Sequence, residues 1–289
     1  MVADTHGVAR QLQQLLEPLA ASVYFLPEAM AGYEALGLDY GEGYFSSRSA
    51  SMGQLPGSVV AATFGVFYPP MVERFVAQAW AKTSAPAVLE ARHAGAQAGL
   101  ARVLGAKPDG AERATSLLRR AADAAPVEGR PLFAGLRSLP WPGDTVGDLW
   151  RAADQVREHR GDAHVAAWVT HGLRPLEVML LSEAWNGLPL NSYLRTRGWP
   201  QDEVLATIDD LRARGLLEGE GLTDAGRALR ESVEATTDRA EAPVVDALGD
   251  DVDELFDLLQ PWAQAIVADG AFPANLADFG AHVRSRSRS

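Results

Sequence analysis

DLRARGLLEGEGLTDAGRAL, residues 210–229, ends one helix, closes a tight hairpin and opens another helix. Upstream, WPQDEVLATIDDLRARGLL carries helical spacing, with Pro200 suited to a first helical position. Downstream, Thr223-Asp224 starts a long helix predicted to run to about Leu248, with Asp224 complementing the helix dipole. Before the hairpin the pattern predicts helices over 145–160 and 162–171, broken at Gly161, and over 174–186, ending at Asn186-Gly187. The order is helix, helix, helix, hairpin, helix.

The first half also reads as helix. Apolar spacing covers 7–36, with Pro18 and Pro27 expected to divide it. Residues 37–57, rich in Gly, Ser and Tyr and without a helical period, are expected to form a long ordered loop. Helices follow at about 57–66, 70–81, 85–104 and 110–125, punctuated by Pro69-Pro70 and by Gly105 with Pro108. GRPLFAGLRSLPWPGD, with three prolines, reads as the connection between two halves. The expected division is 1–140, a helical domain; 141–172, connecting helices; 173–270, winged helix and terminal helices; and 271–289, a tail.

The motif RGLL-x3-GLT-x-x-G of residues 214–226 resembles the recognition-helix end, wing and following helix of winged-helix domains of the multiple-antibiotic-resistance-regulator type. YFLPEAMAGYEALGLDYGEGYFSSRSASMG, VVAATFGVFYPPMV and LWRAADQVREHRGDAHVAAW extend the resemblance over about residues 20–270. They are similar to actinobacterial proteins known chiefly as helix-turn-helix proteins from their C-terminal half. The resemblance implies an almost all-α fold: a helical N-terminal half plus a C-terminal winged helix with a short β-wing. It carries no mechanism. Dimerisation through terminal helices is implied, and the amphipathic residues 249–268 make a homodimer an expectation.

Composition narrows the function classes. The chain has 289 residues, 47% of them hydrophobic, enough for a substantial core. There is no cysteine, hence no disulfide, thiolate ligand or thiol nucleophile. No segment approaches a membrane span, and Asp4 near the start argues against a signal peptide, so a cytoplasmic location is expected. Net charge is −12. Residues 231–270 alone hold eleven acids against one base, Arg239. The expected recognition helix offers Asp202, Glu203, Asp209 and Asp210 beside Arg212 and Arg214, and the wing offers Glu218 and Glu220. Arg195 and Arg197 just upstream are the best case for DNA. Carboxylates facing phosphates repel, so the expected partner is a small-molecule ligand and not nucleic acid.

Two stretches could carry chemistry. The first is Arg157-Glu158-His159-Arg160-Gly161-Asp162-Ala163-His164, with His171 beyond it. At a helix corner, a histidine held by Asp162 or Glu158 could move protons, with Arg157 and Arg160 binding ligand. Alternatively His159 and His164 could ligate haem or a divalent metal, though His-x4-His is not a zinc-protease spacing. Equally, the corner could be a salt-bridged capping network. The second stretch is Tyr40–Ser51, where Tyr44 and Phe45 offer stacking surface and Arg48 a clamp for an anionic group. The alternative there is an ordered loop whose Arg48 pairs with a nearby acid. The leading expectation is a ligand-binding protein, leaning towards an enzyme, with the winged helix as scaffold. A ligand-responsive transcription regulator is the alternative.

Overall fold

In the computed structural model, which describes residues 5–274, the 210–229 stretch forms the wing. Helix α11 (Gln201–Ala213) leads into strands β1 (Leu217–Glu218) and β2 (Gly221–Leu222), then into α12 (Asp224–Ala240). The strands pair antiparallel, Leu217 with Leu222 and Glu218 with Gly221. Gly215 turns the chain at φ +67°, a left-handed value that favours glycine. Thr223 caps α12, its hydroxyl accepting from Gly226 N at 3.1 Å. Gly226 must lack a side chain, because a Cβ there would sit 2.0 Å from the Leu216 carbonyl oxygen. With α10 (Pro175–Trp185) and a 3-10 turn at Leu194–Arg197, these elements make the expected winged helix with a short β-wing.

The remaining described elements are helical. They are α1 (Thr5–Ala21), α2 (Pro27–Ala35), α3 (Tyr40–Ser49), α4 (Gly57–Phe64), α5 (Pro69–Lys82), α6 (Ala85–Leu104) and α7 (Ala111–Ala124). Then come α8 (Pro131–Arg137), α9 (Thr145–Thr170), α13 (Ala242–Leu248) and α14 (Val252–Ala268). The fold is almost all-α.

Several local expectations are corrected. Residues 37–57 are not a loop, because Asp39 and Glu42 form a capping box that starts α3. Glu42 N donates to Asp39 Oδ1 and Asp39 N to Glu42 Oε2, each at 2.8 Å. Pro18 stays inside α1; the bond it forgoes would end on Gln14, an exposed residue that water can satisfy. Pro200 is the cap of α11 and not its first residue. The 129–144 connection contains α8, and the helix begun at Thr223 stops at Glu241, with Pro243 in the first turn of α13.

Gly161 does not break α9, which runs 26 residues without interruption. A glycine costs a helix interior about 1 kcal/mol relative to alanine. Burial on both sides of it outweighs that cost, because α9 threads two cores. Val146, Leu149, Trp150, Ala153 and Val156 belong to a core built with α1, α2, α6, α7, α13 and α14. Ala167 and Trp168 belong to the winged-helix core with Leu180, Leu194, Leu211 and Val233. A third core joins α3, α4 and α5 through Phe45, Phe64, Phe67, Val72 and Val76. The last two helices therefore pack with the N-terminal half: Leu255, Phe256, Leu259, Trp262 and Ile266 of α14 are buried in the first core. The amphipathic face that suggested a dimer is covered within the chain.

Candidate functional site: the polar face of the central helix

Because α9 is uninterrupted, residues 157–164 project in several directions instead of converging on a corner. Glu158, 1% exposed, receives Arg48 in a bidentate pair, Nε to Oε1 and Nη2 to Oε2, both at 2.8 Å. Arg157 donates to the same Oε1 at 2.7 Å and forks onto Glu17 at 2.9 and 3.0 Å. Burial pushes the Glu158 carboxyl up, but the adjacent Arg48 and Arg157 charges outweigh it and hold the group at about 2. Arg48 also lies over the Phe64 ring at 4.4 Å. It is an ion-pair partner of Glu158, its Nε–Nη2 fork occupied by that carboxylate.

The other side chains turn to other helices. Arg160 reaches Gln13 of α1 at 2.5 Å, Asp238 of α12 at 2.9 Å, and Glu234. His159 is wholly buried, its Nδ1 2.6 Å from Glu241 Oε1 and its ring edge-on to Phe133 at 4.9 Å. His164 Nδ1 lies 3.1 Å from Thr237 Oγ1. Burial, then the Arg230 charge, lower its pKa to about 4, so the ring is neutral at physiological pH. His171 closes α9, its Nδ1 2.8 Å from the Ala167 carbonyl oxygen. Phe45 sits in the aromatic cluster with Phe64, Phe67 and Phe75, and Tyr44 packs against Tyr24 at 4.9 Å. Both rings serve packing.

The structure thus brings Arg48 to Glu158 and separates His159 from His164. Among the described residues, no group of three or more His, Asp or Glu is placed to hold a metal ion. The salt-bridged network is the reading that this geometry supports.

Asp162 has a different task. Its Oδ2 accepts Phe133 N at 3.0 Å, tying α8 to α9. Burial raises its pKa to about 7, the backbone hydrogen bond only partly opposing this. A carboxyl raised from 3.8 in the unfolded chain stabilises the fold while protonated. That contribution is full below about pH 4 and is lost as pH rises through 7. Asp162→Asn keeps the acceptor without the charge. Denaturant unfolding at pH 5 and pH 8 should show the pH-dependent loss in the parent protein and little of it in the variant. An equal loss in both would refute the assignment.

The sequence reading missed several polar residues that organise the fold. Glu183, 1% exposed, accepts three backbone amides: Asn191 N at 2.7 Å, Tyr193 N at 2.6 Å and Leu194 N at 2.7 Å. It holds together the turn between α10 and α11. No local pattern around Glu183 marks it, since its partners lie eight to eleven residues on.

A groove of about 620 Å³ opens between α2, α3 and α5. Met30, Tyr33, Leu38, Tyr40 and Phe75 line it, with Glu34 and Asp39 also in its wall. From the 40–51 stretch it takes Tyr40 and Gly41, not Tyr44, Phe45 or Arg48.

On the winged helix, the surface of α11 and the wing exposes Asp202, Glu203, Asp209, Glu218 and Glu220. Arg212 is tied to Asp209 at 3.4 Å and to the Gly219 carbonyl oxygen at 2.9 Å. Arg214 is tied to Glu177 at 2.5 Å and Asp210 at 3.0 Å. Arg197 is buried, its guanidinium 4.5 Å from the Phe67 ring centre. Arg195 and Arg227 are exposed, as are Arg212 and Arg214 despite these contacts.

The model of a helix-turn-helix family matches residues 9–273. The chain belongs to that helix-turn-helix family. No curated protein and no solved structure matches it. The match spans the helical N-terminal half as well as the winged helix, so the family is defined by both together. Among the described residues, no helix is long and apolar enough to cross a membrane.

Proposed function

We propose that this chain is a ligand-binding winged-helix protein in which the winged helix is a coupling element and does not read DNA. The observation that carries this is the acidic face of α11 and the wing. Its five exposed carboxylates stand where base edges and phosphates would lie, and they outnumber the two exposed arginines there, Arg212 and Arg214, each of which contacts an acid of the same surface. The groove between α2, α3 and α5 supports the ligand side, its volume falling in the range of small-molecule sites. Helix α9 supports coupling, since one rigid element belongs to both the first core and the winged-helix core.

The expectation of an enzyme at 157–164 draws no support from the geometry, because the charged groups there are engaged with each other. A ligand-responsive DNA-binding regulator is the second reading. The family's helix-turn-helix description and the exposed Arg195 and Arg227 favour it.

Fluorescence anisotropy with labelled duplexes in about 50 mM salt separates the two. Nonspecific binding weaker than about 10⁻⁴ M is expected, and replacing both Asp202 and Glu203 with arginine should strengthen it. Tight, sequence-selective binding by the unaltered protein would overturn the reading.

A further inference from the structure

Beneath the ion-pair network lies a second polar cluster that its own members do not satisfy. Arg92 of α6 and Arg151 of α9 are 3% and 5% exposed. Arg92 Nη2 donates to Tyr24 Oη and to Asp154 Oδ2, each at 3.1 Å. Its Nη1 is buried with no partner at normal hydrogen-bond geometry, and its neighbour, the Tyr33 hydroxyl, is unmatched as well. Arg151 is more exceptional, with both Nε and Nη1 buried and unpartnered. Asp154 Oδ1 and, on the 3-10 turn Ala50–Met52, Ser51 Oγ are likewise buried and unmatched. That turn packs on both α6 and α8, and α8 packs on α9.

The charges do not balance at depth. Two buried guanidiniums face one buried carboxylate, Asp154, while Asp148 acts on Arg151 from the half-exposed edge. Burial, and then Arg92 acting against the pull of Asp154, lower the Arg151 pKa. Arg92, paired with Asp154, is raised, as are Arg48 and Arg157 of the satisfied network, so the deficit falls on Arg151. A buried guanidinium with open N–H groups is costly, and such groups call for a missing partner.

We propose that Arg151 and Arg92 form a buried binding site for a small oxyanion, the carboxylate or phosphate group of a low-molecular-weight ligand. The open N–H groups on Arg151 Nε and Nη1 point to opposite sides of its Cδ, so they are two separate donors, and the oxyanion accepts from one of them. Arg92 Nη1 adds a further donor, and Asp154 holds Arg92 in place. Bound there, an anion would link α6 to α9, the helix shared with the winged-helix core. The site is separate from the groove and owes nothing to whether the winged helix reads DNA.

The test is thermal unfolding of the full chain in acetate, inorganic phosphate or chloride at matched ionic strength, with calorimetric titration of any stabilising anion. Acetate or phosphate should raise Tm saturably, by about 5 °C at one hundred times Kd. Chloride should do so far less. Arg151→Gln should abolish the saturable rise, whereas Arg212→Gln, on the wing side, should keep it. If Arg151→Gln does not fold, Arg151→Lys keeps the charge but loses the planar, fixed N–H directions, and should weaken binding at least tenfold. Acetate alone would assign a carboxylate and phosphate alone a phosphoryl group. Equal, unsaturable effects of all three anions, or a saturable rise that survives both Arg151 variants, would overturn the proposal and leave water as the partner.

Discussion

Glu158→Gln should destabilise the protein by about 3–5 kcal/mol, the usual cost of removing one partner of a buried ion pair. The change leaves Arg48 buried with no counter-charge, while Arg157 keeps Glu17. Removing both partners should cost less than the sum of the single changes, because the double variant Arg48→Met/Glu158→Leu strands no charge. Strict additivity in a double-mutant cycle would show that the pair contributes nothing. The same pair sets an acid limit. With the folded carboxyl at about 2 and the unfolded one near 4.5, its stabilisation is complete above pH 4.5 and disappears as pH falls through 2. Glu158→Gln should flatten that part of the stability profile.

Glu183→Ala should have the next largest effect, about 3 kcal/mol or more, because three buried or half-buried amides lose their acceptor at once. The damage should be local to the winged helix. Amide hydrogen exchange at Asn191, Tyr193 and Leu194 should accelerate by orders of magnitude. Amides of α2 and α6, in the other core, should keep their protection until global unfolding. Uniform loss of protection would mean that the turn is not a separately opening unit. Retained protection at all three amides would mean that the carboxylate does not hold it.

The wing was legible because its constraints are local. Gly215 needs a left-handed φ, Thr223 caps the next helix directly after the hairpin, and Gly226 must clear the Leu216 carbonyl. Each lies within a dozen residues of its partner, so residue order alone carries them. Helix α3 was legible in principle, through Asp39 and Glu42, but its Gly and Ser content masked the capping box. The pairing of Arg48 with an acid was among the readings open in the sequence, but Glu158 as that acid, 110 residues away, was not fixed by it.

The fold class, the winged helix and the acidity of its outer surface can be read from residue order, because they depend on short-range spacing and on charge, which folding does not alter. The unbroken passage of α9 through Gly161 cannot be read that way, because it depends on long-range packing. There, burial against two cores outweighs a propensity cost of about 1 kcal/mol. That one feature splits residues 157–164 among α1, α3, α12 and the start of α13, so that they join an ion-pair seam instead of converging at a corner. It also leaves Arg151 buried with open N–H groups, because which donors find acceptors depends on long-range packing that no residue spacing encodes.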